Sequence, residues 1–206
     1  MTALTEGRGS SGAPAEGAPG EAEQGAAAQG AVSTAPLRVL LREDLRTHGR
    51  LSHPGLHVLA VYRVGHWRRS QPALVRKPVS ALYKLVDRWV VRTLYGTEIS
   101  DRARIGRQVK IGHHQALMVP AGSEIGDGCL LRQGVSIGYA RDGAPAGAVP
   151  RLGRRVEVGP HSVIIGPITI GDDVKIGPLS LVSRSVPAGA TVFSAPARVM
   201  PAPPRG

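Results

Sequence analysis

The feature that most constrains the fold of this chain is a six-residue repeat in its second half. Aliphatic residues occupy every sixth position in two runs: Ile99, Ile105, Ile111, Leu117, Ile125, Leu131 and Ile137, then Leu152, Val158, Ile164, Ile170, Ile176 and Val182. The register slips by two residues between Leu117 and Ile125, and a loop of about 14 residues separates the two runs. A small or branched residue lies four places after most of these positions, and glycine directly follows many of them.

This period is typical of a parallel β-helix, in which three short strands form one triangular coil and each coil buries the aliphatic residues of its neighbour. Three hexads per coil give about four coils between residues 99 and 182. Glycine at the corners reduces the steric cost of tight turns. A chance origin would require thirteen positions to coincide. The sequence therefore predicts a mostly β chain built on a β-helix.

The region before the repeat has the periodicity of helices. Aliphatic residues recur at helical spacing in residues 37–45, and again in residues 56–67 after a His-Pro-Gly turn. A third run is predicted to begin at Pro78 and end at Leu94, and its apolar face comprises Val79, Leu82, Leu85, Val86 and Trp89. We divide the chain into a disordered tail rich in Ala, Gly and Glu (1–36), an α-helical region (37–95), a β-helix (96–192) and a C-terminal extension (193–206).

The composition of the chain limits its possible binding partners and its cellular compartment. The net charge is +11, and residues 1–36 carry four Glu and one Arg, which leaves +14 on the remainder. Nucleic acid is one explanation of the charge, but a zinc-finger spacing, interleaved aromatic residues and a recognition-helix pattern are missing, and a phosphate-rich small ligand explains the charge equally well. A single cysteine, Cys129, excludes an internal disulfide and is expected to be buried. No run is apolar enough for a membrane span or signal peptide, so we expect a cytoplasmic protein with no nucleic-acid or membrane partner.

Among the seven histidines, His113 is the best candidate for a catalytic group. It follows a glycine corner, where its side chain need not fill the interior, and imidazole is the side chain best suited to deprotonate a hydroxyl near neutral pH. Glu98, close to one coil earlier, is the nearest carboxylate that could orient it. Paired surface histidines without a catalytic role are common, so spacing alone leaves both interpretations open.

The remaining histidines are predicted to play other roles. We expect surface or capping positions for the four in the helical region, and exposure at a corner for the one in the third coil. Because His113 and His114 are adjacent and point to opposite faces of a strand, a metal site is not expected. The histidines concerned are His48, His53, His57, His66 and His161.

Several motifs of this chain resemble serine O-acetyltransferase and its relatives in polysaccharide gene clusters. They occur in the order and spacing of that family and extend over about residues 40–200. The matching segments are the Leu41-Arg42-Glu43-Asp44 stretch, Tyr62-Arg63, Gly96-Thr97-Glu98-Ile99, Lys110 to Gln115, Arg132 to Gly138, Val186 to Thr191, and Ala195 to Arg198.

The resemblance implies a left-handed β-helix that forms a trimer or a dimer of trimers. Acetyl-CoA would be a co-substrate, not a permanently bound cofactor, and would lie between adjacent β-helices and transfer its acetyl group directly to a hydroxyl. His113 would be the general base and Glu98 the residue that orients it. Cysteine synthase is a candidate partner by the same resemblance. The residues expected to contact acetyl-CoA are Gly138, Gly159, Ser162, Lys175, Gly177 and Arg198.

The predicted function is serine O-acetyltransferase, in which L-serine and acetyl-CoA give O-acetyl-L-serine for cysteine biosynthesis. Two departures from the family favour an alternative. Gly112 replaces an Asp that precedes the catalytic histidine, and Ala148-Val149 replaces an Arg-His pair after the long loop. A zwitterionic serine needs paired charges in place of its hydration shell. O-acetylation of a sugar or another hydroxylated metabolite is therefore a second hypothesis, and an inactive β-helix scaffold is a third.

Overall fold

The computed structural model describes residues 35–196 of the 206-residue chain. Most of the predicted tail and of the predicted C-terminal extension lies outside the described residues. Arg198, one of the residues expected to contact acetyl-CoA, also lies outside them.

Within residues 35–196, three helices precede the repeat region. Helix α1 spans Leu37–His48, helix α2 spans Pro54–Trp67 with a short 3-10 turn after it, and helix α3 spans Ala73–Val86 and continues as a π-helix over Asp87–Leu94. The ring of His53 caps α2 by accepting a hydrogen bond from the N–H of Gly55, as expected for a capping residue. Helix α3 begins at Ala73, five residues before the predicted start. Pro78 therefore lies inside the helix, where it removes one backbone hydrogen bond.

The described part of the repeat region forms three parallel sheets, which are the three faces of a triangular prism. One sheet has the strand order β1-β4-β7-β10-β13, a second β2-β5-β8-β11, and the third β3-β6-β9-β12-β14. Successive strands along the chain lie in different sheets, so the chain turns around the prism once every three strands. The strands are β1 Glu98–Ile99, β2 Arg104–Ile105, β3 Lys110–Ile111, β4 Met118–Val119, β5 Glu124–Ile125, β6 Leu130–Leu131, β7 Ser136–Gly138, β8 Arg151–Leu152, β9 Glu157–Val158, β10 Val163–Ile165, β11 Thr169–Ile170, β12 Lys175–Ile176, β13 Leu181–Val182 and β14 Thr191–Val192.

The interior of the prism is aliphatic, as the repeat predicts. All thirteen repeat positions are buried, with at most 5% of their surface exposed. The structure also explains the slip in register. Leu117 fills an inner position of the corner, and the inward residue of strand β4 is Val119, which restores the six-residue period to Ile125.

The helices cover the open end of the β-helix, where the first coil leaves backbone groups unpaired. Tyr62 donates its hydroxyl hydrogen to the carbonyl of Ala103 at 2.9 Å and accepts the N–H of Ile105 at 3.1 Å. The Arg63 guanidinium donates to the carbonyls of Ile105 and Gly106 at 2.7 and 2.6 Å. Because each of these polar groups is buried, the helical region completes the hydrogen bonding of the first coil.

Candidate active site

The corner that carries His113 is longer than the corners stacked below it. It occupies residues 112–117, between strands β3 and β4, whereas the equivalent corners of the next three coils have four residues each, 132–135, 159–162 and 177–180. The two additional residues push this corner outward. His113 is exposed and His114 is half-buried. The slip in the sequence period therefore marks the place where the two histidines leave the regular coil.

Residues 96–98 hold this corner from the preceding turn of the chain. The N–H of Ala116 donates to the carbonyl of Gly96 at 2.9 Å, and the N–H of Glu98 donates to the carbonyl of Leu117 at 2.8 Å. The hydroxyl of Thr97, a buried residue, donates to the carbonyl of His114. These contacts fix the backbone of the corner and bring Glu98 beside its end.

His113 and Glu98 thus belong to one neighbourhood, but their side chains have different contacts. The carboxylate of Glu98 forms an ion pair with Arg92 at 2.7 Å, and the side chains of both residues are about half exposed. Within residues 35–196, no hydrogen bond joins this carboxylate to the His113 ring. The catalytic roles assigned to both residues stay predictions.

A tyrosine and a second histidine, which the sequence analysis did not single out, support the corner from the helical side. The ring of His114 packs edge-on against Tyr95, with ring centroids 4.6 Å apart. His57 has Nε2 2.7 Å from the carbonyl of Leu51, and because a carbonyl only accepts, this nitrogen carries the proton. Nδ1 of His57 therefore accepts the hydroxyl hydrogen of Tyr95 at 3.0 Å. The aromatic residue before Gly96 is the only sequence signal of this contact.

The surroundings of the corner favour neutral imidazole rings. Partial burial and then the nearby His53, His113 and His57 lower the pKa of His114. Burial and then Lys110 and His113 lower the pKa of His53. Both rings therefore lie where a further positive charge is disfavoured.

His48 connects helix α1 to the strand that leads into the corner. Its Nδ1 lies 2.7 Å from the carbonyl of Asp44, so Nδ1 carries the proton, and its Nε2 accepts the N–H of Ile111 at 3.1 Å. The residue is 7% exposed, so the prediction of a surface or capping position for His48 is wrong. His57 and His66 are half-buried and bonded to backbone carbonyls, whereas His161 is exposed as predicted.

Several residues expected to contact acetyl-CoA lie along the same edge of the prism as His113. Gly159 and Ser162 belong to the corner of the third coil and Gly177 to that of the fourth. Coils stack at about 4.8 Å, so these corners lie roughly 10 to 15 Å below His113. The buried Ser162 donates its hydroxyl hydrogen to the carbonyl of Gly177 at 2.8 Å, so that hydroxyl is used within the stack.

The other two described residues of this set lie apart from that edge. Gly138 ends strand β7, and a side chain there would meet no other atom within 4 Å. Lys175 is exposed on strand β12, beside Glu157 and Thr191 in the register of the sheet. The Cα of Gly138 therefore faces open space, although its carbonyl accepts the N–H of Gly166 at 3.0 Å, and Lys175 presents its ammonium group on an outer face.

Cys129 does not have the surroundings of a nucleophile. It is fully buried, as predicted, and its thiol donates to the carbonyl of Gly153 at 3.1 Å. Burial raises the pKa of this thiol to about 12, so it stays protonated near neutral pH. Cys129 is therefore not a candidate nucleophile. The side chains of residues 35–196 also form no group of three or more His, Cys, Asp or Glu that could hold a metal ion.

The chain is similar to one known protein family and to several individual proteins. The bacterial transferase hexapeptide family, with six repeats, matches residues 150–184. A serine acetyltransferase of Helicobacter pylori is 32% identical over 169 residues, which cover 80% of this chain and 94% of that protein. The putative colanic acid biosynthesis acetyltransferase WcaB of Escherichia coli is 37% identical over 163 residues, 76% of this chain and 96% of that protein.

Solved structures with a similar fold include a serine acetyltransferase, as the relatives found by sequence do. The serine acetyltransferase of Brucella abortus, crystallised in complex with coenzyme A, superposes with a TM-score of 0.66 at 25% identity. The match covers 78% of this chain and 66% of that chain, so this chain spans about two thirds of the length of that structure. The shared architecture is the left-handed parallel β-helix preceded by helices. The chain therefore belongs to the serine acetyltransferase family of hexapeptide-repeat acyltransferases.

Proposed function

We propose that this chain transfers the acetyl group of acetyl-CoA to the hydroxyl of L-serine, giving O-acetyl-L-serine and coenzyme A. The observation that carries the proposal is the exposed His113 on a lengthened corner, at the head of the prism edge that bears Gly159 and Gly177. Relatives named serine acetyltransferase and a relative solved with coenzyme A support this donor and this acceptor.

His113 acts as the general base. The acceptor hydroxyl donates its hydrogen bond to the exposed ring, which removes the proton as the oxygen attacks the thioester carbonyl. The tetrahedral intermediate then collapses, and the protonated ring returns the proton to the departing thiolate of coenzyme A. No covalent bond to the protein forms in this scheme, which agrees with the buried, protonated state of Cys129.

Glu98 acts on this reaction by orienting His113. Its N–H is bonded to the carbonyl of Leu117, at the end of the corner that carries the base. The carboxylate now pairs with Arg92 on an exposed surface, where ion pairs contribute little, so exchanging this partner costs little free energy. The carboxylate would accept the N–H of one His113 ring nitrogen and so hold the tautomer whose unprotonated nitrogen faces the acceptor.

The test is thiol release from acetyl-CoA by the purified chain, with L-serine as acceptor. The substitution His113→Ala should lower kcat by about 10² to 10⁴ while acetyl-CoA binding persists. His161→Ala, which removes an exposed histidine from the corner expected to contact acetyl-CoA, is the matched control: it should change kcat less than threefold, and any effect should fall on the KM for acetyl-CoA. Serine-dependent release that persists in His113→Ala would refute the assignment of the base.

A sugar hydroxyl is the second candidate acceptor, and the surroundings of Gly112 favour it. No carboxylate precedes His113, and Val149, at the position of a histidine in the resemblance, is buried in the prism with 2% exposed. A relative named for colanic acid biosynthesis is 37% identical. Under this alternative, thiol release would be seen with a sugar and not with L-serine. Release with neither acceptor would favour the inactive scaffold.

Gly112 also offers a direct experiment on the acceptor. A Cβ atom at this position would meet its nearest neighbours, Leu130, Leu131 and Arg132, at 3.6 to 3.8 Å, which is ordinary contact, so Gly112→Asp should fold. The new carboxylate would pair with the ammonium of serine. We expect kcat/KM for L-serine to rise at least tenfold relative to that for a sugar. Gly112→Asn, which has the same size without the charge, is the control.

The proposal also includes an oligomeric state, a cellular location and a protein partner. A homotrimer, alone or paired with a second trimer, would place acetyl-CoA between neighbouring β-helices, and the hexapeptide family match supports a trimer. The buried single cysteine and the acetyl-CoA donor support a cytoplasmic site of action. Cysteine synthase is the proposed partner if the product is O-acetyl-L-serine, and co-purification of the two proteins tests it.

A further inference from the structure

The helical region has an apolar face that the rest of the described chain does not cover. A groove of about 260 Å³ runs between the three helices, and a neighbouring groove shares Leu41 and Ala60 with it, so the two are continuous. We call the combined surface the cap strip. Its lining residues are Leu41, Leu45, Leu51, Leu56, Ala60, Val61, Val64, Val79, Leu82 and Val86.

The cap strip continues onto the outer side of helix α3 and the π-helix. Leu82 lines the groove yet is 64% exposed, and Leu85 and Trp89 follow it at helical spacing with 57% and 60% exposed. Large side chains with this much exposure on one helix face form a contiguous apolar patch, which marks a binding surface on a folded protein.

Basic side chains border the cap strip on both sides. On helix α1, the exposed Arg38, Arg42 and Arg46 repeat every four residues and so form one row beside the row that contains Leu41 and Leu45, and the exposed Arg50 follows the end of the helix. Exposed cations on helix α3 and the π-helix follow the opposite edge of its apolar face. The border residues are Arg38, Arg42, Arg46, Arg50, Lys77, Lys84 and Arg88.

The acidic residues of the helical region do not neutralise this border. Residues 37–94 contain twelve Lys and Arg but only three Asp and Glu. Asp44 is buried against Arg63, Glu43 is paired with Arg107 of the first coil, and Asp87 is paired with Arg92. Within residues 35–196, no ion pair joins the border cations to an acidic residue, so their charge is directed to the solvent.

We propose that the cap strip binds the surface of an anionic lipid bilayer. An exposed apolar face that carries Trp and Leu, with Lys and Arg along its edges, is the pattern of helices that lie in the membrane interface. Among residues 35–196, no helix is long and apolar enough to cross a bilayer, so the contact is peripheral. The expectation of no membrane partner considered spanning segments only, and this proposal replaces it.

The charge of the border residues favours a bilayer over a second copy of the chain as the partner of the cap strip. Two cap strips facing each other would bring two sets of basic borders together without acidic partners, which opposes association. An anionic surface instead complements both borders at once, and each basic residue near such a surface contributes to binding.

The first experiment measures co-sedimentation of the full-length protein with vesicles in 0.1 M NaCl. We expect binding to vesicles with 30% phosphatidylglycerol in phosphatidylcholine and at least tenfold weaker partitioning onto phosphatidylcholine alone. The double substitution Arg42→Glu with Arg46→Glu should weaken partitioning at least tenfold. Arg102→Glu with Arg184→Glu, which changes the charge equally on exposed β-helix positions, should retain most of it. Absence of binding to the anionic vesicles would overturn the proposal.

Trp89 provides a second readout. With Trp67→Phe, Trp89 is the one remaining tryptophan of the chain, and its fluorescence should shift to the blue on anionic vesicles only. A blue shift that grows with protein concentration without lipid would show that a second copy covers the strip, and would overturn the proposal. Because transfer to a soluble acceptor does not use the strip, Leu82→Ser with Leu85→Ser should abolish vesicle binding and preserve thiol release.

Discussion

Arg63 is the residue that most tightly joins the helical region to the β-helix. Its side chain is 4% exposed and contacts the carboxylate of Asp44 at 3.0 Å as well as two carbonyls of the first coil. Burial raises the pKa of Asp44 even with this guanidinium beside it. Both the carboxyl group and the two carbonyls therefore depend on one side chain for their hydrogen bonds.

Removing that side chain should be strongly destabilising. We expect Arg63→Met to lower the free energy of unfolding by about 3 to 5 kcal/mol, because it leaves a buried carboxyl group unpaired. Urea unfolding of the two proteins measures the difference. Arg69→Met, at a side chain that is 43% exposed, is the control and should change stability by less than about 0.5 kcal/mol. Equal losses in the two variants would contradict this account.

His48 should make stability depend on pH. Burial lowers the pKa of His48 below its usual 6.5, and His53 and Lys110 lower it further, while the carbonyl and charge of Asp44 act in the opposite direction. The unfolded chain therefore binds a proton here more readily than the folded chain. The contribution of His48 is complete above about pH 6.5 and is lost as the pH falls below it.

The measurement is the free energy of unfolding of the wild-type protein and of His48→Gln between pH 5 and pH 7.5. His53 and His114 also have lowered pKa values, so the wild type should lose stability on acidification for more than one reason. The variant should lose less than the wild type over this interval. Parallel pH profiles would show that His48 does not contribute.

Which residues could be foreseen depends on where their partners lie in the sequence. His113 and Glu98 could be proposed from the sequence because both lie in the repeat region, whose periodicity fixes their positions within the coils, and their catalytic roles stay predictions. His48 was misplaced because its burial depends on helix α1 packing against Ile111, a contact across 63 residues that no local pattern records. The contact between Tyr95 and His57 was not predicted for the same reason, since 38 residues separate them.

At the scale of elements, the corners determine how closely the coils stack. Gly126 follows strand β5, and a Cβ atom there would collide with the backbone carbonyl group of Gly153 in the next coil. Backbone cannot move aside as a flexible side chain can. The repeated glycine after the aliphatic position is therefore required by the approach of the coil below, in addition to the turn that the sequence analysis considered.

The different surroundings of Gly126 and Gly138 give a stability prediction with an internal control. Gly126→Ala should destabilise the protein by about 1 to 3 kcal/mol or more, because the coils must separate to admit the methyl group. Gly138→Ala should be nearly neutral for stability, since its Cβ would meet nothing within 4 Å. Thermal unfolding of the two variants beside the wild type checks both statements. A larger loss in Gly138→Ala would contradict the stacking argument.

The elements also show the limits of periodicity. The six-residue period predicted the β-helix because one aliphatic residue per hexad is enough to specify a flat strand and a corner. Helix α3 was predicted to start five residues late, because Pro78 is most common in a first helical turn and was taken as the start. In the sequence, the longer corner at His113 is visible only as a two-residue slip of the repeat between Leu117 and Ile125. The slip is explained by the inward position of Val119 in strand β4, which only the structure shows.

At the scale of the whole molecule, one face of the prism has the surface of an interface. The outward positions of the sheet that contains β4, β7, β10 and β13 are Met118, Ser136, Val163 and Leu181. Met118 is 50% exposed and Leu181 is 66% exposed. Such side chains along an otherwise regular sheet face favour packing against a neighbouring copy.

If this face joins the copies of the proposed trimer, a charge in its centre should separate them. The chain has a mass of 21.5 kDa, so a trimer would sediment at about 65 kDa, and Leu181→Glu should shift it toward the monomer. The variant should also lose thiol release, because acetyl-CoA would no longer find the groove between two β-helices. Arg184→Glu, an exposed change three residues along, should leave both the mass and the rate close to those of the wild type. Retained activity in a monomeric Leu181→Glu variant would place the donor site within a single chain, and the proposed groove between copies would have to be abandoned.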